Sequence, residues 1–60
     1  MDSRILWWGY RHTDGSLHVK RYFDQMDIEE AQDSVFVERT YGPFDAMNRE
    51  DALQHLKEVL

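Results

Sequence analysis

Two runs of aromatic and β-branched residues, Ile5 to His12 and Leu17 to Phe23, flank the polar segment Thr13-Asp14-Gly15-Ser16. Such runs are typical of β-strands. The dipeptide Asp-Gly between them is a strong signal for a two-residue hairpin turn of type I′, in which both central residues have positive φ. The pattern therefore predicts an N-terminal β-hairpin whose loop is Asp14 and Gly15.

This loop places Trp7 directly opposite Tyr22 and Trp8 opposite Arg21. Because side chains alternate between the two faces of a strand, the register divides the hairpin into two sets of residues. The face predicted to form the core carries Leu6, Trp8, Tyr10, Leu17, Val19 and Phe23, with His12 and Arg21 at intervals. The opposite face carries Ile5, Trp7, Gly9, Arg11, His18, Lys20 and Tyr22.

The remainder of the chain predicts a short helix, a third strand and a longer final helix. Asp27 is a natural N-cap for the first helix, which continues to Gln32. Residues 35–41 alternate as a strand that Gly42-Pro43 ends. Asn48 caps the last helix, whose apolar stripe packs on the sheet: Ala52, Leu53, Leu56, Val59 and Leu60.

These elements predict a single α+β domain spanning residues 1–60. Its order is β-β-α-β-α, with a three-stranded antiparallel sheet and the C-terminal helix packed on one face. We favour a meander in which the strands lie side by side in chain order. The link between the second and third strands makes a short return easy and is barely long enough for a full crossover.

Composition limits what this domain can be. With 60 residues and no cysteine, it has no disulfide or thiolate metal site to supplement a small core. We therefore expect self-association, most simply as a homodimer. No apolar run reaches transmembrane length and no leader pattern is visible, so we expect a soluble, cytoplasmic protein without membrane contact.

Charge is divided unevenly along the chain, which carries a net charge of −5. Residues 1–23 hold four basic and two acidic side chains (4 − 2 = +2), whereas residues 24–60 hold three basic and ten acidic ones (3 − 10 = −7). Acidic residues at helix N-termini explain much of this pattern. An acidic surface that mimics nucleic acid is the alternative, and its members would be Asp27, Glu30, Asp33, Glu38, Asp45 and Asp51.

The face of the hairpin outside the predicted core is the candidate binding site. It combines the aromatic pair Trp7 and Tyr22 with the cationic or titratable side chains Arg11, His18 and Lys20. Three interpretations remain open: a second small core under a covering segment, an interface with a protein or a second copy, and a surface that stacks bases or anionic ligands.

Other chemistry finds little support in the sequence. The three histidines, His12, His18 and His55, lack the spacing of a metal site, and the serines have no histidine placed beside them by any local argument. The glycines are isolated, so no phosphate-binding loop is present. We expect no catalytic residues, no metal and no cofactor. Seven basic residues against twelve acidic ones argue against general nucleic-acid binding.

Residues 41–46 (Tyr-Gly-Pro-Phe-Asp-Ala) and 48–53 (Asn-Arg-Glu-Asp-Ala-Leu) follow a tryptophan-rich hairpin that contains residues 6–11 (Leu-Trp-Trp-Gly-Tyr-Arg). This combination resembles short proteins encoded by phages and mobile elements, over about half of the chain. The resemblance implies a small antagonist or regulator of a host defence factor that acts by binding. The leading hypothesis is therefore a non-enzymatic protein-binding module, and the alternative is a binder of nucleic acid or small anions.

Overall fold

The computed structural model describes residues 5–60, which form three strands and two helices. In chain order these are β1 (Ile5–His12), β2 (Leu17–Arg21), α1 (Gln25–Gln32), β3 (Val37–Ala46) and α2 (Arg49–Val59). The predicted α+β class, the order β-β-α-β-α and the packing of the C-terminal helix on the antiparallel sheet are confirmed.

The strands lie in the order β2-β1-β3, so the predicted meander is wrong. β3 pairs with β1 rather than with β2, from Ile5 opposite Ala46 to His12 opposite Val37. The segment that contains α1 is long enough to carry the chain past β1, although a direct return beside β2 needs a shorter link. As a result β1 is the central strand, and Pro43 lies in an edge strand, where proline is tolerated.

The hairpin turn is one residue longer than predicted. His12 N donates to Ser16 O at 2.8 Å and Gly15 N donates to His12 O at 2.9 Å, which leaves residues 13–15 in the loop. Gly15 has φ of 94°, while no non-glycine residue in the range 5–60 has positive φ. The turn is therefore a three-residue loop with a left-handed glycine, not a type I′ turn.

The longer loop changes which hairpin residues face the core. Trp7 pairs with Arg21 and Trp8 with Lys20, so the predicted pairing of Trp7 with Tyr22 is wrong. A one-residue change of register moves the side chains of one strand to the other face relative to its partner. Trp7 and Gly9 consequently share a face with Val19, which we call the α2 face because α2 covers it.

The main core lies between the α2 face and α2. Its buried members are Trp7, Val19, Phe44, Ala46, Ala52 and Leu56, and Ile5, Leu17, Leu53 and Leu60 pack around them. Leu17 and Val19 were predicted for the core correctly. Trp8 is buried, as predicted, but it faces the other side of the sheet together with Tyr10. Leu6 and Phe23, which were predicted for the core, are exposed.

Local sequence explains how α2 forms and how closely it packs. The Asn48 side chain accepts a hydrogen bond from Asp51 N at 2.8 Å, so the predicted cap is confirmed. Ala52 and Leu56 are both completely buried. A Cβ at Gly9 would lie only 2.6 Å from Leu56 Cδ2, so the helix approaches the sheet this closely because position 9 has no side chain.

β3 runs through Gly42-Pro43, where the sequence predicted an end. Gly42 and Pro43 together stand opposite Trp8, because the register shifts between Trp7 and Gly9. Gly42 has φ of 133°, and a Cβ there would lie 2.8 Å from the Trp8 Cβ. A glycine at this bulge therefore gives the backbone room to pass the tryptophan.

α1 begins earlier than predicted. Asp24, not Asp27, is the N-cap, and its Oδ1 accepts a hydrogen bond from Met26 N at 2.9 Å. Asp27 thus lies in the first turn, where the helix dipole favours an acidic residue. Its carboxylate does not cap the helix, so it is free to interact with groups outside the helix.

Candidate functional site

The side of the sheet opposite α2 is only partly covered, and we call it the cleft face. α1 packs chiefly against β3 and does not cover β2. Its residue Ile28 points toward the sheet and has an exposed fraction of 2 %. Gln32 Nε2 donates to Thr40 Oγ1 at 3.0 Å, which ties the end of α1 to β3. An open cleft of about 420 Å³ remains between α1 and the hairpin.

Aromatic rings form the floor of this cleft. Trp8 is 3 % exposed, and its ring centroid lies 5.8 Å from that of Tyr10. Tyr10 in turn stacks on His18 at 5.1 Å, and Val37 of β3 also lines the cleft. The floor therefore offers a flat apolar surface to a side chain that enters between α1 and β2.

The Trp8 indole nitrogen is buried and has no hydrogen-bond acceptor among residues 5–60. By contrast, the neighbouring Trp7 Nε1 donates to Ala46 O at 3.2 Å. Burying a donor without a partner costs about 1–3 kcal/mol, so such groups are uncommon and call for an explanation. The unpartnered group belongs to a residue that lines the cleft.

The two walls of the cleft carry opposite charges. Lys20 and Arg21 lie on the hairpin side, and Asp27 and Glu30 lie on the α1 side. The two acidic residues are three positions apart, so they share one side of the helix. Within residues 5–60 no ion pair joins the walls, since the ion-pair contacts found there involve Arg11 with Glu38 and His12 with Asp14. The charged groups of the walls are therefore available to a ligand.

Large apolar side chains are exposed on the elements that flank the cleft. Phe23, which lines the cleft, is 75 % exposed, Met26 is 63 % exposed and Leu6 is 43 % exposed. Tyr22 N donates to Leu6 O at 3.0 Å, which places Leu6 beside the chain segment leading to Phe23. The Arg21 guanidinium carbon lies 5.7 Å from the centroid of the Phe23 ring. Exposed apolar groups beside a cleft are typical of binding surfaces.

Two of the five predicted site residues lie on the α2 face. Trp7 is 6 % exposed and belongs to the core, so the prediction that it lies outside the core is wrong. Arg11 forms an ion pair with Glu38 at 2.9 Å and also donates from Nη1 to Leu60 O at 2.9 Å. Both side chains are held by internal contacts.

The other three predicted residues do not form one cluster. Lys20 lines the cleft, and His18 lies beside it, stacked on Tyr10 and within 2.9 Å of Ser16 Oγ. Tyr22 is half-buried and follows the end of β2. The structure therefore separates Trp7 and Arg11 from His18 and Lys20 by placing them on opposite sides of the sheet.

Sequence reasoning missed the residues that give the cleft its character. Trp8 and Tyr10 were assigned to the core, and Asp27 was explained as a helix cap. The pair Asp27 and Glu30 did carry a signal, because two acids three positions apart on a short helix share a face. What that face opposes depends on the strand order, which the local sequence does not reveal.

The hairpin turn near the cleft contains one carboxylate with a shifted pKa. Hydrogen bonds from the Ser16 hydroxyl and from Ser16 N lower the pKa of Asp14 below its ordinary value of 3.8. His12 Nδ1 lies 3.3 Å from Asp14 Oδ1, but it accepts a hydrogen bond from Asp14 N at 3.1 Å.

Residues 5–60 contain no cluster of three or more His, Asp or Glu side chains placed to hold a metal ion. Neither helix in this part of the chain has the length and apolar character needed to cross a membrane. Comparison with protein families, curated proteins and solved structures gives no match. The resemblance to phage-encoded proteins accordingly stays a prediction.

Proposed function

We propose that this chain is a non-enzymatic protein-binding module that docks a partner on the cleft face. The observation that carries the proposal is the exposed Phe23 side chain at the mouth of an aromatic cleft. Aromatic and arginine side chains dominate the binding energy of protein interfaces, and Phe23 with Arg21 supplies both. This surface replaces the predicted one, since Trp7 is part of the core.

The size of the molecule supports one such interface. The described residues expose 4354 Å². A standard interface takes ~800 Å² from each partner, which is about a fifth of that area. One side of the molecule is therefore large enough for a partner of ordinary footprint. A regulator or antagonist of a host factor, as the phage resemblance implies, would act by occupying its target in this way.

Site-specific crosslinking tests the proposal. A photoreactive phenylalanine analogue is placed at position 23 in one variant and at position 36 in a control. Phe36 is 62 % exposed, but it lies at the hairpin turn, where its carbonyl accepts from Thr13 N. In extracts of the source cells, we expect a discrete crosslinked protein from position 23 and none from position 36.

Affinity capture with matched variants completes the test. Phe23→Ala should weaken capture of the crosslinked protein by about tenfold or more, as expected for an interface anchor. Phe36→Ala removes an equally large exposed ring and should leave capture unchanged. Equal capture by both variants would show that the partner binds elsewhere and would contradict the proposal.

A further inference from the structure

The unpartnered Trp8 N–H indicates what kind of group the cleft receives. A buried donor is satisfied by an acceptor, which excludes a purely cationic ligand at that point of the floor. Trp8 and Lys20 are direct partners across β1 and β2, so their side chains leave the sheet on the same face about 5 Å apart. A ligand that approaches Trp8 from this face therefore also meets the Lys20 side chain.

A carboxylate fits this pair of donors better than a neutral carbonyl does. Its hydrogen bonds to the indole and to the ammonium group are charge-assisted, and such bonds are about twice as strong as neutral ones. A phosphate backbone fits poorly, because Asp27 and Glu30 on the opposite wall would repel a polyanion. The donors on one side and the carboxylates on the other thus select a ligand that carries both signs of charge.

We propose that the cleft recognises a linear segment of the partner in which an acidic residue and a basic residue flank an apolar one. The acidic side chain lies at Trp8 and Lys20, the apolar side chain packs on Tyr10 and Val37, and the basic side chain faces Asp27 and Glu30. This inference rests on the proposed function and deepens it, because it assigns the chemistry of the docked segment.

Access to the indole nitrogen requires a small rearrangement. The atom is fully covered in the structure, so an acceptor reaches it only when the covering groups move aside. The cross-strand neighbour Lys20 is exposed and has four rotatable bonds, so it can adjust to a ligand at little cost. Binding should therefore change the environment of the Trp8 N–H and leave the hydrogen-bonded Trp7 N–H as it is.

Selection from a random dodecapeptide library, displayed without reference to any known partner, tests the inference. We expect the selected peptides to share an Asp or Glu and a Lys or Arg on either side of a large apolar residue. Replacing the acidic residue of such a peptide by its amide should weaken binding about tenfold. Lys20→Gln should weaken binding of the parent peptide about twofold to fivefold, and it should hardly change binding of the amide peptide.

Lys57→Gln is the matched control, since Lys57 is an exposed lysine on α2, on the other side of the sheet. It makes the same change of net charge and should leave binding unchanged. An equal effect of Lys20→Gln and Lys57→Gln would reduce the role of Lys20 to general electrostatics and would overturn the inference.

Nuclear magnetic resonance gives a readout at the proposed contact. The chain has two tryptophans, and therefore two indole N–H signals, which a Trp8→Phe variant assigns. On titration with a selected peptide, the Trp8 signal should shift downfield and the Trp7 signal should stay. A shift of neither signal, with binding intact, would overturn the inference.

The outcomes separate this inference from the proposed function. Peptides that lose binding with Phe23→Ala but ignore Lys20 and the acidic residue would support the docking surface and overturn the charge pattern. Peptides insensitive to both Phe23→Ala and Lys20→Gln would contradict both proposals. If free leucine shifts the Trp8 signal as strongly as a peptide does, the cleft is a small-molecule site and the assignment to a protein segment is overturned.

Discussion

Adding a methyl group at position 9 should destabilise the protein through one identifiable contact. The Cβ of Gly9→Ala would lie 2.6 Å and 3.1 Å from the two Cδ atoms of Leu56, and 2.7 Å from the carbonyl oxygen of His18. Both neighbours are confined, since Leu56 is completely buried and the carbonyl is part of β2. Overpacking of this kind costs about 1–3 kcal/mol.

Shortening Leu56 should relieve a defined part of that cost. Valine has no Cδ atoms, so Leu56→Val removes the two side-chain atoms nearest to the added methyl group and leaves the carbonyl contact. By itself, Leu56→Val removes one methylene from the core and should cost about 1 kcal/mol. In the Leu56→Val background, Gly9→Ala should cost at least ~1 kcal/mol less than in the parent protein, as expected for residues in contact.

Urea unfolding, monitored by tryptophan fluorescence, measures the free energy of unfolding of the four proteins in this double-mutant cycle. A domain of this size has a stability of only ~3–5 kcal/mol, and the mild Leu56→Val change keeps every member measurable. Lys57→Ala, an exposed change on the same helix, is the control, and it should combine additively with Gly9→Ala. If Gly9→Ala and Leu56→Val are also additive, the contact between Gly9 and Leu56 does not limit how closely α2 packs, and the reasoning is refuted.

Three further predictions follow from the turn, its carboxylate and the exposed apolar side chains. Gly15→Val should cost about 1–2 kcal/mol through its positive φ, because nothing lies within 4 Å of an added Cβ, and equal thermal midpoints would contradict this. The lowered pKa of Asp14 means that its stabilising contribution is present above the ordinary value of 3.8 and is lost as pH falls through the lower folded value. Asp14→Ala should therefore reduce the acid sensitivity of unfolding, and an unchanged pH profile would disprove the role of this carboxylate. Light scattering should give a mass near twice 7.2 kDa at tens of micromolar, whereas a monomer mass throughout would contradict self-association.

Features that depend on neighbours in sequence were predicted well. The cap at Asn48 and the buried positions Ala52 and Leu56 follow from a local pattern. A capping side chain bonds to N–H groups two or three residues away, and the apolar residues of one helix face recur every three or four positions. The hairpin itself was also evident from its two strand-like runs and its Asp-Gly turn.

The candidate site was harder to predict because it depends on two non-local choices. Asp14 and Gly15 are compatible both with a two-residue loop and with a longer loop that needs positive φ only at the glycine. That one-residue difference decides which tryptophan faces α2: Trp7 does, whereas Trp8, which is also buried, faces the cleft side of the sheet. The position of α1 over the cleft face depends in turn on β3 pairing with β1, a pairing that no local signal encodes.

The central position of β1 has a consequence for how the protein folds. The hairpin joins residues close in sequence and can form within microseconds, but it exposes one side of β1 until β3 arrives. The contact between Trp7 and Ala46 joins residues 39 positions apart, so completing the sheet requires closure of a large part of the described chain. Destabilising changes at the hairpin turn should therefore slow folding, while changes in β3 should mainly speed unfolding. During synthesis, the unpaired side of β1 stays open to other strands until β3 has left the ribosome, which makes β1 the strand most exposed to misassembly.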